Sequence, residues 1–213
     1  MILANESKIL SQIGGTPINR GVLASLFPTI NDSNKKIRQL ESNNAIIRLK
    51  KGTYIVSPEF SRVPINTYLI ANHLSSPSYV SMLSALRYYG MIPEDVYIVQ
   101  SMTLNKSKQF DNKLGTFTYH HTDQPSFSIG LNYYRQDETA FVIASPEKAL
   151  CDYIANTPYI NLRYLSETER FLEDDLRLDM DAFRQMDINI FRQYAFVGKK
   201  KNSIETIIKL LEK

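Results

Sequence analysis

The stretch from Ile18 to Val56 constrains this chain more than any other, because two short helical patterns run into a basic two-strand segment. Asn19 can cap a helix that gathers Val22, Leu23, Leu26 and Phe27 on one face. Pro28 prevents that helix from continuing. Asp32 or Ser33 can cap a second helix, which carries Ile37 and Leu40 inward with Ile30 just ahead of it. At about 3.6 residues per turn, Lys35, Arg38, Gln39 and Ser42 then fall on the opposite face, with Lys36 on its flank. Asn43-Asn44 tolerates the left-handed conformation that ends a helix. Ile46–Lys50 and Thr53–Val56 flank Lys51-Gly52, two β-rich runs around a turn.

Helix, turn, helix and hairpin in this order predict a winged helix-turn-helix that grips double-stranded DNA. Lys35, Arg38, Gln39 and Ser42 would face base edges in the major groove, where Arg suits guanine and Gln suits adenine. Arg20, Lys36, Arg48, Lys50 and Lys51 would hold phosphates. The alternative is a small helical unit with ordinary solvated charges that binds another protein.

Charge placement agrees with the first reading. The net charge of the 213-residue chain is only +3. Residues 1–60 hold eight Lys and Arg against four Asp and Glu, a surplus of +4, and residues 61–213 carry −1. The sequence therefore divides into a DNA-binding domain over 1–60 and a larger domain over 61–213. Hydrophobic residues at 43% supply a core and argue against global disorder. No apolar run is long enough to span a membrane, and the first residues lack the basic and apolar regions of a signal peptide. The single Cys151 excludes an internal disulfide and suits a reducing cytoplasm.

The pattern outside the hairpin predicts helices over Asn5–Ile13, Ile65–Leu74 and Tyr79–Tyr89, the last capped by Ser78 and apolar on both sides. Strands are expected at Val96–Val99, Gly115–Tyr119, Phe127–Leu131 and Thr139–Ile143. Ser145-Pro146-Glu147 opens a helix; Ser166, Asp181 and Ser203 are expected to cap three more. The whole is an α+β fold whose second domain has a mainly antiparallel sheet flanked by helices.

Three segments carry a likeness to a known family: Arg48–Tyr54, Pro77–Leu86 with Tyr89-Gly90, and Ala144–Asp152. Together they resemble the AbiEi-type antitoxins, transcriptional regulators of abortive-infection (type IV) toxin–antitoxin systems, over residues 1–155. Asn44 stands where such proteins often have Gly, and Cys151 where they often have an aliphatic residue. The resemblance implies a winged helix that represses its own promoter. It also implies a second domain that counters a nucleotidyltransferase-like toxin without a stable complex, cytoplasmic residence and no cofactor.

No constellation points to catalysis. His120 and His121 are adjacent on an expected strand and point to opposite faces, so they do not share a metal. Glu147-Lys148 lacks the spacing of a nuclease site and reads as a helix start. Gly14-Gly15-Thr16 is too short for a phosphate loop, and Asp179-Met180-Asp181 reads as a solvated link rather than a metal pair. Cys151 beside Asp152 is a buried structural thiol rather than a nucleophile. The expectation is a non-enzyme with no metal and no cofactor. The alternatives are an enzyme that processes nucleic acid or nucleotides, carried by the same DNA reader, and a plain regulator without a toxin partner. Glu167–Asp187, with eight acids and three arginines, reads as a solvated helix face or as a surface for a basic partner.

Overall fold

The computed structural model describes residues 3–28, 32–136 and 139–213. The first part of the chain builds helix α1 (Ala4–Ser11), a two-residue strand β1 (Ile18–Asn19), α2 (Arg20–Ser25), α3 (Ser33–Ser42), β2 (Ile46–Lys50) and β3 (Thr53–Val56). Ile30, expected just ahead of α3, lies outside the described residues. The strands form an antiparallel sheet in the order β1-β3-β2. Asn19 caps α2 by accepting the Val22 N–H at 2.9 Å, and Asp32 caps α3 by accepting the Lys35 N–H at 3.0 Å. Asn44 adopts φ +53° after α3, the left-handed stop that its short polar side chain tolerates. Leu10, Leu23, Phe27, Ile37, Leu40, Ile46, Tyr54 and Val56 close one hydrophobic cluster among these elements.

A four-residue helix α4 (Pro58–Ser61) leads to α5 (Thr67–Leu74), β4 (Ser78–Val80), α6 (Met82–Tyr88), β5 (Ile98–Thr103), β6 (Lys108–Asn112) and β7 (Gly115–His121). Then come α7 (Gln124–Phe127), β8 (Leu131–Gln136), β9 (Thr139–Ala144) and α8 (Pro146–Asn156). Helix α9 (Leu165–Arg170) runs into a π-helical turn over Phe171–Asp175, followed by α10 (Met180–Phe183), α11 (Ile188–Val197) and α12 (Lys201–Leu211). Six strands form one sheet in the order β6-β7-β5-β4-β9-β8. Helices cover both faces. On one, Tyr119 donates to the Ala71 carbonyl of α5 at 2.6 Å; on the other, Tyr79 donates to Asp152 of α8 at 3.0 Å.

The second sheet is mixed: β6–β7, β4–β5 and β8–β9 are antiparallel, whereas β5–β7 and β4–β9 run parallel. This refines the expectation of a mainly antiparallel sheet. One of the two parallel pairings comes from Ser78–Val80, which the sequence pattern assigns to a helix capped by Ser78. These residues are a strand between β5 and β9, and the helix starts only at Met82. A central strand and the buried helix after it make one continuous apolar run, and periodicity cannot separate them.

The expected strand at Phe127–Leu131 is likewise corrected. Pro125 sits in the first turn of α7, and Gly130 turns the chain at φ +58° before β8 begins at Leu131. A Cβ on Gly130 would lie 2.9 Å from Lys148 Cβ, so only glycine permits this approach. The expected Val96–Val99 strand shifts to Ile98–Thr103.

Three caps also move. Asp179, not Asp181, accepts the Asp181 and Ala182 N–H groups at 3.0 Å each. α12 starts at Lys201, ahead of Ser203, whose buried hydroxyl takes the Leu162 N–H at 3.0 Å. α9 starts at Leu165 without a side-chain cap from Ser166. Ser145 does cap α8, with Pro146 in its first turn. No helix among the described residues is long and apolar enough to cross a membrane.

The two parts of the chain meet along a seam. Leu49 and Ile55 of the first hairpin are buried in the larger hydrophobic cluster, and β2 packs against β6. Asn112 donates to the Leu49 carbonyl at 3.1 Å, and Lys113 to Asn44 Oδ1 at 3.5 Å.

Candidate nucleic-acid interface

Helix α3 has two contrasting faces. Ile37 and Leu40 are buried, while Lys35, Arg38, Gln39 and Ser42 are exposed, as their spacing predicts. Asn34, at the start of the same helix, accepts a 2.6 Å hydrogen bond from Arg20 on α2, which holds that guanidinium beside α3. The Ser42 hydroxyl turns back to the Gln39 carbonyl at 3.0 Å.

Lys36 behaves differently from its neighbours. It is 6% exposed, ion-paired with Glu6 of α1, and donates to Gln39 Oε1 at 3.2 Å. Its ammonium also stands 5.5 Å from the Phe27 ring centre. Burial alone would raise the Glu6 carboxyl; the Lys36 bond, the Leu3 N–H and nearby positive charge outweigh it and hold the group below the usual carboxylate range. The cation expected on phosphate is thus folded into the packing of α1 against α3.

On the hairpin, Arg48 lies half-exposed over the Tyr54 ring and bonds Glu41 at 2.7 Å. That bond, and then Tyr54, keep its guanidinium charged. Lys51 is exposed at the turn, where Gly52 takes φ +77°. Lys50 donates to the Leu74 carbonyl at 2.8 Å and stands 5.6 Å from the Phe110 ring centre. Burial, and next the charge of Lys108, push its ammonium down. Lys50 therefore belongs to the seam in this structure rather than to an open phosphate-facing edge. Of the nine residues singled out by sequence, Arg20, Lys35, Arg38, Gln39, Ser42, Arg48 and Lys51 reach solvent around α3 and the hairpin. Lys36 is buried, and Lys50 is half-buried with its ammonium turned to the Leu74 carbonyl.

The sequence pattern misses one buried polar centre altogether. Lys148 and Asp152, both fully buried on α8, pair at 2.8 Å. Asp152 also accepts from Ser81 at 2.8 Å and Tyr79 at 3.0 Å, and the Lys148 ammonium stands 4.4 Å from the Tyr194 ring centre. Their i, i+4 spacing on an apolar helix is the one signal that could have shown the pair. These contacts tie β4, α8 and α11 together, so the centre acts as a structural clamp. Cys151 beside it is buried, and burial followed by the Asp152 charge pushes its thiol well up, which disfavours a nucleophile.

Glu147 accepts the Asp187 N–H at 3.0 Å and so ties α8 to the start of α11. His120 is half-buried, and His121 lies outside beside Asp123 at 3.4 Å. Among the described residues no three His, Cys, Asp or Glu side chains cluster as metal ligands. No family model matches this chain, and no curated protein matches it in sequence.

Proposed function

We propose that this chain is a DNA-binding repressor of its own promoter and the antitoxin of a type IV, abortive-infection toxin–antitoxin pair. The observation that carries the DNA half is α3: a capped helix with Ile37 and Leu40 buried and Lys35, Arg38, Gln39 and Ser42 together on its open face, beside a basic hairpin. In this reading the unit is a winged helix. Arg38 and Gln39 read base edges, Lys35 and Ser42 support them, and Arg20, Arg48 and Lys51 hold phosphates. Lys36 and Lys50 are left out of the contact set, because each already has buried partners.

The antitoxin half rests on the resemblance carried by Arg48–Tyr54, Pro77–Leu86 and Ala144–Asp152. Its partner is a nucleotidyltransferase-like toxin countered without a stable complex, and it requires no enzyme activity of this chain.

Two experiments test the two halves separately. Arg38→Ala should cost about 1–3 kcal/mol on the DNA upstream of its own gene and far less on random duplex. Lys51→Ala should weaken both equally and reduce the slope of log K against log salt by about one. Equal losses for both variants on both duplexes would remove the division between base and phosphate contacts. For the antitoxin half, co-expression with the adjacent reading frame should restore growth that the frame alone arrests, and growth that stays arrested would overturn it.

A further inference from the structure

A concave surface elsewhere on the molecule involves no residue of α1 to α3 or of the first hairpin. It is a groove of about 400 Å3 between the start of α6, the segment leading into β5, α8 and the π-helical turn. Leu83, Ile98, Tyr153 and Leu176 give it an apolar lining, and Tyr97 stands at its edge 87% exposed. That volume falls in the range of about 300–1,000 Å3 typical of binding sites.

Every charged side chain on the lining is acidic: Glu94, Asp95 and Asp175. Glu94 is met by Arg177 at 3.0 Å and Asp95 by Arg87 at 2.9 Å, whereas Asp175 forms no ion pair among the described residues. Burial, and then the charge of Asp175, raise the Tyr153 hydroxyl, so that carboxylate acts on the groove's interior. The acidic surplus of Glu167–Asp187 continues behind it with Glu173 and Asp174 exposed.

The walls are held in costly backbone. Asp175 and Leu176 end a π-helical turn, a feature often found at functional sites. Arg177 next to them has φ +52°, and Met82 next to Leu83 has φ +54°. Left-handed conformations at such residues persist only where surrounding structure enforces them.

We propose that this groove docks a basic, amphipathic segment of a partner protein. An apolar side chain of that segment seats against Leu83, Ile98 and Leu176, and an adjoining Lys or Arg meets Asp175. Nucleic acid is the wrong partner, since Asp175, with Glu173 and Asp174 exposed behind it, would repel phosphate. The open rim at Tyr97 and Ile98 suits a chain passing over it better than a small ligand, which a pocket would enclose. This inference does not depend on the DNA reading.

The test selects random dodecapeptides displayed on phage against the full chain, then measures the recovered peptides by fluorescence anisotropy. The targets are the parent, Tyr97→Ser and Asp175→Lys, with melting temperature confirming that both variants fold; both positions are exposed. The expected result is peptides that combine Leu, Ile, Phe or Met with Lys or Arg and bind each variant about tenfold or more weakly than the parent. Recovered peptides that bind parent and variants alike, or that discriminate without a basic residue, would overturn the proposal. So would failure to recover any binder. A concentration-dependent dimer of the parent abolished by Tyr97→Ser would assign the groove to a second copy instead and overturn it too.

Discussion

At the scale of single residues, identical side chains in adjacent positions do opposite work. Lys35 stands in solvent, while Lys36 shares a buried site with Glu6 and Gln39. Removing one partner of a buried pair strands the other, at about 3 kcal/mol. Lys36→Met should therefore lower unfolding free energy by about that much while leaving the salt slope of the proposed DNA binding unchanged; a slope reduced by one would return Lys36 to the proposed phosphate contacts.

His120 sets a pH dependence. Burial pushes its imidazole down, with the Asp152 charge opposing, and burial pushes His73 the same way. The unfolded chain then binds protons that the folded one refuses, so stability falls as pH drops through and below the ordinary imidazole range. Glu6 adds to the loss lower down. Its depressed carboxyl stabilises the fold above the ordinary glutamate range, and that contribution disappears as pH falls through the folded value. His120→Gln should flatten the upper part of the profile in urea midpoints measured against pH, and an unchanged slope would contradict the assignment.

At the scale of elements, local signals succeed where a side chain speaks for its own backbone. Asn19, Asp32 and Ser145 were legible as caps because each bonds an N–H three residues ahead. The sequence pattern fails at β4, where hydrophobicity fills both sides of strand and helix alike, and at Phe127–Leu131, where alternation is mimicked by a turn. Gly130 is decisive there. Gly130→Ala must accept φ +58° and a 2.9 Å approach to Lys148 Cβ, and should cost about 1–3 kcal/mol in unfolding free energy. A neutral effect in chemical denaturation would mean that α7 and β8 can shift to relieve the approach.

At the scale of the whole molecule, the first hairpin belongs to two packing units at once. Tyr54 and Val56 close the amino-terminal cluster, while Leu49 and Ile55 enter the larger one. The two parts should therefore unfold in a single transition seen alike by circular dichroism and tyrosine fluorescence. Leu49→Asn should split that transition in two, and a parent that already melts in two steps would show the seam to be weak. What the sequence determined by itself was local: the order of helices and hairpin through Ile18–Val56, the exposed face of α3 and the caps Asn19, Asp32 and Ser145, because those depend on residues within a turn or two of each other. Tertiary structure alone decided the strand order, the loss of Lys36 and Lys50 to buried partners, the Lys148–Asp152 clamp and the acidic groove. Each of these brings together groups distant in sequence, as Tyr79, Ser81 and Tyr194 meet the Lys148–Asp152 pair, and where the meeting place is buried a charge must find its partner or stay outside.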